Sequence, residues 1–319
     1  MKRREFIKNV TAAGSLMTLF PADLSSISRN ISQDYIEKRS LGRTGVMLSM
    51  IGFGGIIVRD ATSTDASALV KLAIESGINY FDVAPSYGDA ETKLGPALEP
   101  FRDDVFLACK TQMRTREEAR KELEQSLKNL RTSYFDLYQH HAVTTMDDVE
   151  TILGKDGAME TFLEARKEGK IRFLGFSAHS VEAALALIDG FDFDTILFPV
   201  NFATWHSGNF GPQVLEKAKE KGMGILALKA MARGPWPENA DKNRYPKCWY
   251  EPLSQTDDIL MGLRFTLSHP VTAAVPPGEA ELFKLALSVK DRIKPLNPQE
   301  IDNIKKLALR QEPLFSYTG

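Results

Sequence analysis

The chain has 319 residues, of which 43% are hydrophobic, 26% charged and 9% aromatic, ordinary globular proportions with apolar material for one large core or two medium ones. A formal net charge of −2 gives no electrostatic case for nucleic acid or an anionic membrane surface as a partner. The two cysteines, Cys109 and Cys248, lack C-x-x-C spacing and are too few for a zinc ribbon or an iron–sulfur cluster.

In chain order, residues 1–35 read as a segment outside the fold. A basic head containing Arg3-Arg4 and Phe6 leads into a mildly apolar stretch over 10–20, too short to remain as a membrane-spanning helix. It resembles a twin-arginine export signal followed by a linker. That resemblance implies the twin-arginine machinery as a partner and a periplasmic location, with cytoplasmic residence as the alternative. Pro21-Ala22-Asp23 is a poor cleavage site, so removal of the signal stays open.

Residues 36–319 read as one domain of strand–helix units. A hairpin over 38–49, turned at Gly42–Gly45, is expected to plug one end. Strands follow over 50–55, 78–82, 105–110, 134–141, 171–177, 195–201, 223–229 and 271–275. Between them lie helical patterns: one capped by Thr64 and stopped by Gly77, and one opened by a Thr115–Glu118 capping box. Others cover 158–167, 181–188, 212–221, 257–267 and 281–288. An irregular insert spans 230–255, and a final helix over 298–310 is opened by Asn297 and Pro298. Eight such units predict a parallel α/β architecture, a closed (β/α)8 TIM barrel with an N-terminal β-hairpin plug and an extra C-terminal helix. A doubly wound dinucleotide fold would need G-x-G-x-x-G after the first strand. Gly52-Phe53-Gly54-Gly55 lacks the last glycine.

A barrel carries its chemistry at the C-terminal ends of its strands, and polar residues gather there. Asp82 ends the second strand with Tyr87 after it; Lys110, His141, Ser177, Asn201 and Lys229 end the third to the seventh. A buried lysine needs an acid, and Asp82, on the neighbouring strand at the matching level, supplies one. An ammonium near a phenol stabilises the phenolate, so Lys110 is expected to lower the Tyr87 pKa from about 10. Tyr87 would then donate a proton to a carbonyl oxygen that His141 orients. His140, its side chain on the opposite face, reads as a packing residue.

The motifs Leu41-Gly42-Arg43-Thr44-Gly45, Gly52-Phe53-Gly54-Gly55, Asp82-Val83-Ala84-Pro85-Ser86-Tyr87-Gly88, Lys110, Asp136-Leu137-Tyr138-Gln139-His140-His141 and Gly169–Ser177 run in one order along the chain. In that arrangement the chain resembles the aldo-keto reductases. The resemblance implies a barrel enzyme using NADP, with NAD possible, and a catalytic tetrad of Asp82, Tyr87, Lys110 and His141. It implies pro-R hydride transfer to a carbonyl carbon of a small aldehyde, ketone or sugar. It places Gly54 and Gly55 beside the nicotinamide, Ser177 on its carboxamide, and Pro276, Pro277 and Gly278 along the pyrophosphate and adenosine end.

Several positions depart from that pattern. Ala178 and Leu197 stand where carboxamide-holding Asn and Gln are usual, leaving His179 or Asn201 to rebuild the grip. The strand-seven position that stacks on the nicotinamide is Leu228, or Lys229 in a neighbouring register. Glu279 and Glu281 follow Gly278, where a cation would favour the 2′-phosphate of NADP; Lys284 is the nearest candidate to reach it. Trp205 and His206 are the expected substrate contacts, whereas Trp249 reads equally well as packing for the insert. Two further classes stay open. One is a cofactor-binding redox sensor or regulatory subunit with low turnover. The other is a metal-dependent barrel hydrolase on His140, His141, His179 and Asp82, although strand one lacks the His-x-His such barrels use; no metal is expected.

Overall fold

The computed structural model describes residues 36–319; the segment read as an export signal and linker lies outside the described residues. Two short strands, β1 (Lys38–Ser40) and β2 (Met47–Ser49), pair antiparallel. Gly42, in the turn between them, has a φ of 50°, and a Cβ there would sit 2.3 Å from the Gly224 nitrogen. Only glycine lets this turn press so closely on the base of the domain. Leu41 and Leu48 enter one buried layer with Tyr80, Phe106, Leu137, Leu197 and Leu226. The hairpin therefore plugs the barrel as expected.

The central sheet has eight strands, β3 (Phe53–Gly54), β4 (Tyr80–Asp82), β5 (Phe106–Thr111), β6 (Phe135–Val143), β7 (Ile171–Ala178), β8 (Thr195–Pro199), β9 (Gly224–Leu228) and, after the insert, β12 (Ala273–Ala274). Every neighbouring pair is parallel. The sheet closes on itself where Ile51 bridges Ala274, with Gly52 N donating to Ala274 O at 3.0 Å and Ala274 N to Met50 O at 2.9 Å. This is the expected (β/α)8 barrel. Alternation along each strand sorts the side chains. Tyr80, Phe106, Ala108 and Leu137 fill the interior, while Phe81, Leu107, Cys109 and Tyr138 join the core under the helices.

The helices around the barrel are α1 (Ser63–Glu75), α2 (Ala90–Leu98), α3 (Arg116–Asn129), α4 (Met146–Leu153), α5 (Ala158–Lys167), α6 (Val181–Gly190), α7 (Phe202–His206), α8 (Pro212–Glu220), α9 (Thr256–Leu267), α10 (Ala280–Ser288) and α11 (Pro298–Ala308). Helix α1 buries Ala66, Leu69, Val70 and Ala73, the apolar face its spacing predicts. Its cap is Thr62, not Thr64: the Thr62 hydroxyl accepts from Asp65 N at 3.1 Å. The box expected at Thr115 does not close on the backbone, because Thr115 Oγ1 donates instead to Glu118 Oε2 at 2.7 Å. Asn297 and Glu300 do form a reciprocal capping box at α11. Helix α4, absent from the sequence reading, is capped by Thr145. The insert holds a small antiparallel pair, β10 (Ala232–Gly234) with β11 (Glu251–Pro252), so it is more ordered than its composition suggests.

Candidate active site

Asp82 and Lys110 sit at the inward-facing ends of β4 and β5. Their Cα register differs from the expected matching level: Asp82 pairs with Ala108, and Lys110 lies two residues further on beside Gln139. The stagger of barrel strands leaves the long lysine side chain to fold back. Its Nζ then meets Asp82 Oδ1 in a buried ion pair, with Val83 O at 3.3 Å as a second acceptor. Asp82 is 2% exposed and Lys110 1%. Burial, the largest single influence, would lower the Lys110 pKa, but Asp82 and then Tyr87 together outweigh it and hold the ammonium above its ordinary value.

Two further partners of Asp82 went unnoticed in the sequence. Tyr80 OH donates to Asp82 Oδ2 at 3.0 Å and Gln139 Nε2 donates to the same oxygen at 3.1 Å. Each lies two residues before a predicted site residue on the same strand, Tyr80 before Asp82 and Gln139 before His141, the alternation that could have found them. The carboxylate is thus saturated from three sides and fixed in place.

Tyr87 follows on the loop after β4, ordered by its amide donating to Ala84 O at 3.1 Å. Its ring centroid is 5.3 Å from Lys110 Nζ, and it meets the His141 ring edge-on at 5.8 Å. The structure therefore brings all four proposed catalytic side chains together. The expected lowering of the Tyr87 pKa is not found. Burial raises it, Lys110 pulls it back, and the net shift is upward, because removing a phenolate from water outweighs one ammonium at this distance. His141 is held well below its ordinary pKa by burial, then by the charges of Lys110, Arg114 and Lys229 and by His179. Its Nδ1 lies 3.4 Å from Ser86 Oγ. His140 faces outward as expected, its ring stacked on Phe162 at 3.9 Å.

Asp82, Tyr87 and His141 form one wall of a cleft of about 190 Å³. From Asp82, Tyr87 and His141 it passes His179, Leu228 and Lys229, then reaches Gly54 and the Pro276-Pro277-Gly278 turn. Leu228 and Lys229 both line it, so neither register of strand seven displaces the other. A Cβ on Gly54 would meet Val275 Cγ1 at 3.0 Å, narrowing the wall. Gly55 is not on the cleft; its missing Cβ leaves room for Val83, 2.7 Å away.

Other predicted residues serve as braces. Ser177, 1% exposed, accepts from Ala142 N at 2.8 Å and pins the residue after His141, whose φ is 52°. The Asn201 carboxamide caps α7 through Ala203 N and Thr204 N, and donates to Ala232 O at 2.5 Å and Lys229 O at 3.3 Å. It is committed to the turn that carries Lys229 and does not line the cleft. Trp205 and His206 do not line it either. Trp205 lies tilted against His269 at 4.0 Å, and Trp205 and His206 both pack against Phe265 of α9, because α7 directs them toward the outer helices. Trp249 and Tyr250 of the insert take the rim instead, and Trp249 is 59% exposed.

At the far end, Glu279 Oε1 accepts from Lys247 N at 2.7 Å and Glu281 pairs with Arg244 at 3.1 Å. Lys284 is exposed on α10 and outside the cleft. Among the described residues no group of three or more His, Cys, Asp or Glu side chains converges to hold a metal ion.

The model of the aldo/keto reductase family matches residues 50–307. L-galactose dehydrogenase of Arabidopsis thaliana is 27% identical over 229 residues, 66% of this chain and 70% of that protein. Aldo-keto reductase YhdN of Bacillus subtilis is 30% identical over 218 residues, 62% of this chain and 63% of its own length. The holo form of aldo-keto reductase AKR11C1 from Bacillus halodurans shares the fold, with a TM-score of 0.68 over 89% of this chain and 98% of that one at 24% identity. The chain belongs to the aldo/keto reductase family, and with it to the NAD(P)-dependent oxidoreductases.

Proposed function

We propose that the protein is a carbonyl reductase in which Tyr87 is the general acid, His141 orients the carbonyl oxygen, and the Lys110–Asp82 pair supplies the electrostatics. The observation that carries this reading is the buried ion pair set 5.3 Å from the Tyr87 ring, with His141 against the same ring. A nicotinamide dinucleotide, when bound in the cleft, would supply the hydride. With its pKa raised by burial, Tyr87 stays protonated at neutral pH and so is available as a donor. Lys110 stabilises the phenolate as the proton leaves, which is where its charge matters most. His141, neutral for the reasons above, hydrogen-bonds the substrate oxygen without competing for that proton. Asp82, paired with Lys110 Nζ, keeps that ammonium charged and placed.

The cleft fits the nicotinamide end and a small substrate. Its 190 Å³ is below the roughly 300–1,000 Å³ of complete small-molecule sites, so the rest of the dinucleotide would lie along the open rim. Gly54, Leu228 and the Pro276–Gly278 turn, which line the cleft, would hold it. Pairing of Glu281 with Arg244 relieves the repulsion that the acidic turn would exert on a 2′-phosphate. NADP, the cofactor the resemblance implies, is thereby compatible with this end, with NAD accepted as well. A sugar or other hydroxylated carbonyl compound suits the aromatic rim at Trp249, and similarity to a sugar dehydrogenase points the same way.

Fluorescence titration with NADPH and NADH, paired with carbonyl reduction, tests the assignment in wild type and Tyr87→Phe. The variant should bind cofactor normally and lose at least about a hundredfold in kcat, the scale of general acid–base catalysis. Reduction at the wild-type rate would remove Tyr87 from the chemistry.

A further inference from the structure

Lys229 is a half-buried cation with no acid paired to it among the described residues. Among the described residues it makes no salt bridge and its Nζ has no hydrogen-bond acceptor, yet it lines the cleft beside His141 and His179. Its Nζ lies 5.0 Å from the Trp249 ring centroid and 4.6 Å from that of Tyr250, so the two faces hold the ammonium through cation–π attraction. The backbone is held too. Lys229 has a φ of 67°, a left-handed conformation costly for a residue with a side chain. Its carbonyl accepts from Ala232 N at 2.9 Å and from the Asn201 carboxamide. Strain and desolvation are thus both borne to present one ammonium to the cleft. Burial lowers the pKa of this group to about 8, as expected for a cation awaiting its counter-charge.

We infer that Lys229, caged by Trp249 and Tyr250, binds an anionic oxygen group of a molecule held in the cleft, either a phosphate of the dinucleotide or a carboxylate of the substrate. The inference rests on the reductase reading for the identity of those two molecules, but its test needs no turnover. Asn201 is then a positioning residue that fixes the Lys229 turn.

The test uses the full chain as wild type, Lys229→Met and Lys229→Arg. Trp249 fluorescence reports binding of NADPH, NADH, inorganic pyrophosphate, 4-carboxybenzaldehyde and 4-nitrobenzaldehyde. Loss of a charge-assisted contact is worth about 10- to 100-fold in affinity. If the phosphate is the ligand, Lys229→Met should weaken pyrophosphate and both dinucleotides by at least about tenfold. If the substrate carboxylate is the ligand, 4-carboxybenzaldehyde should weaken by that factor while 4-nitrobenzaldehyde and the dinucleotides hold. In either case Lys229→Arg should restore most of the loss, which distinguishes charge from packing. Affinities of Lys229→Met within twofold of wild type for all five probes would overturn the inference. A wild type that binds these probes but reduces neither aldehyde would count against the reductase reading alone.

Discussion

Asp82→Asn should cost stability as well as activity. Lys110 has two acceptors, Asp82 and the Val83 carbonyl at 3.3 Å, and only 1% of its surface reaches solvent. Removing the carboxylate leaves a buried, uncompensated ammonium, which costs roughly 3–5 kcal/mol. Asparagine also has one acceptor oxygen where Asp82 has two. Lys110 faces Oδ1 while Tyr80 and Gln139 both donate to Oδ2, so one side must set an amide N–H against a donor. That adds about 1–3 kcal/mol of lost hydrogen bonding. Urea unfolding followed by circular dichroism reads the sum. The double variant Asp82→Asn/Lys110→Met removes both charges and should recover much of the loss, since an absent pair costs far less than a broken one. Both variants should be inactive. A single variant destabilised by less than about 1 kcal/mol, or a double variant no more stable than the single, would refute the argument that Asp82 exists to keep Lys110 charged.

Two other outcomes follow from the geometry and one from the sequence. His140 is buried with both ring nitrogens unpartnered among the described residues, and burial and then Arg114 push its pKa down to about 3 from 6.5. Unfolded chains therefore bind the extra proton between these values, so the stability is present above about pH 6.5 and lost as pH falls toward 3. At pH 5 the penalty is about 2 kcal/mol; His140→Leu should abolish it, and urea midpoints at pH 7 and pH 5 that fall equally in both proteins would refute this. Phe315, in the C-terminal tail, stacks on His179 at 5.3 Å and lies 5.9 Å from Trp249, both on the cleft. Phe315→Ala should raise substrate KM by about 2- to 10-fold, the worth of an aromatic contact, with NADPH affinity unchanged; an equal loss of NADPH affinity would show that the tail serves the fold. We also propose that residues 1–35 direct export. Arg3→Lys/Arg4→Lys should retain the protein in the cytoplasmic fraction, and unchanged distribution would dismiss the signal.

Much of the site is legible in the linear order because a barrel strand alternates its side chains with period two. Tyr80 and Asp82, Ala108 and Lys110, and Gln139 and His141 each share the inward face of one strand, and closure of the sheet gathers those faces onto one axis. The same rule separates His140 from His141 with no knowledge of their neighbours. What the sequence leaves undecided is set by long-range placement. The fall or rise of the Tyr87 pKa depends on whether desolvation or one ammonium dominates, a balance set by everything packed around the ring. The exchange of Trp205 for Trp249 at the cleft depends on where helix α7 and the insert come to rest, which no local periodicity encodes. For Lys229, sequence establishes a cation at the end of a strand, but only the folded chain sets it between two aromatic faces, without an acid among the described residues.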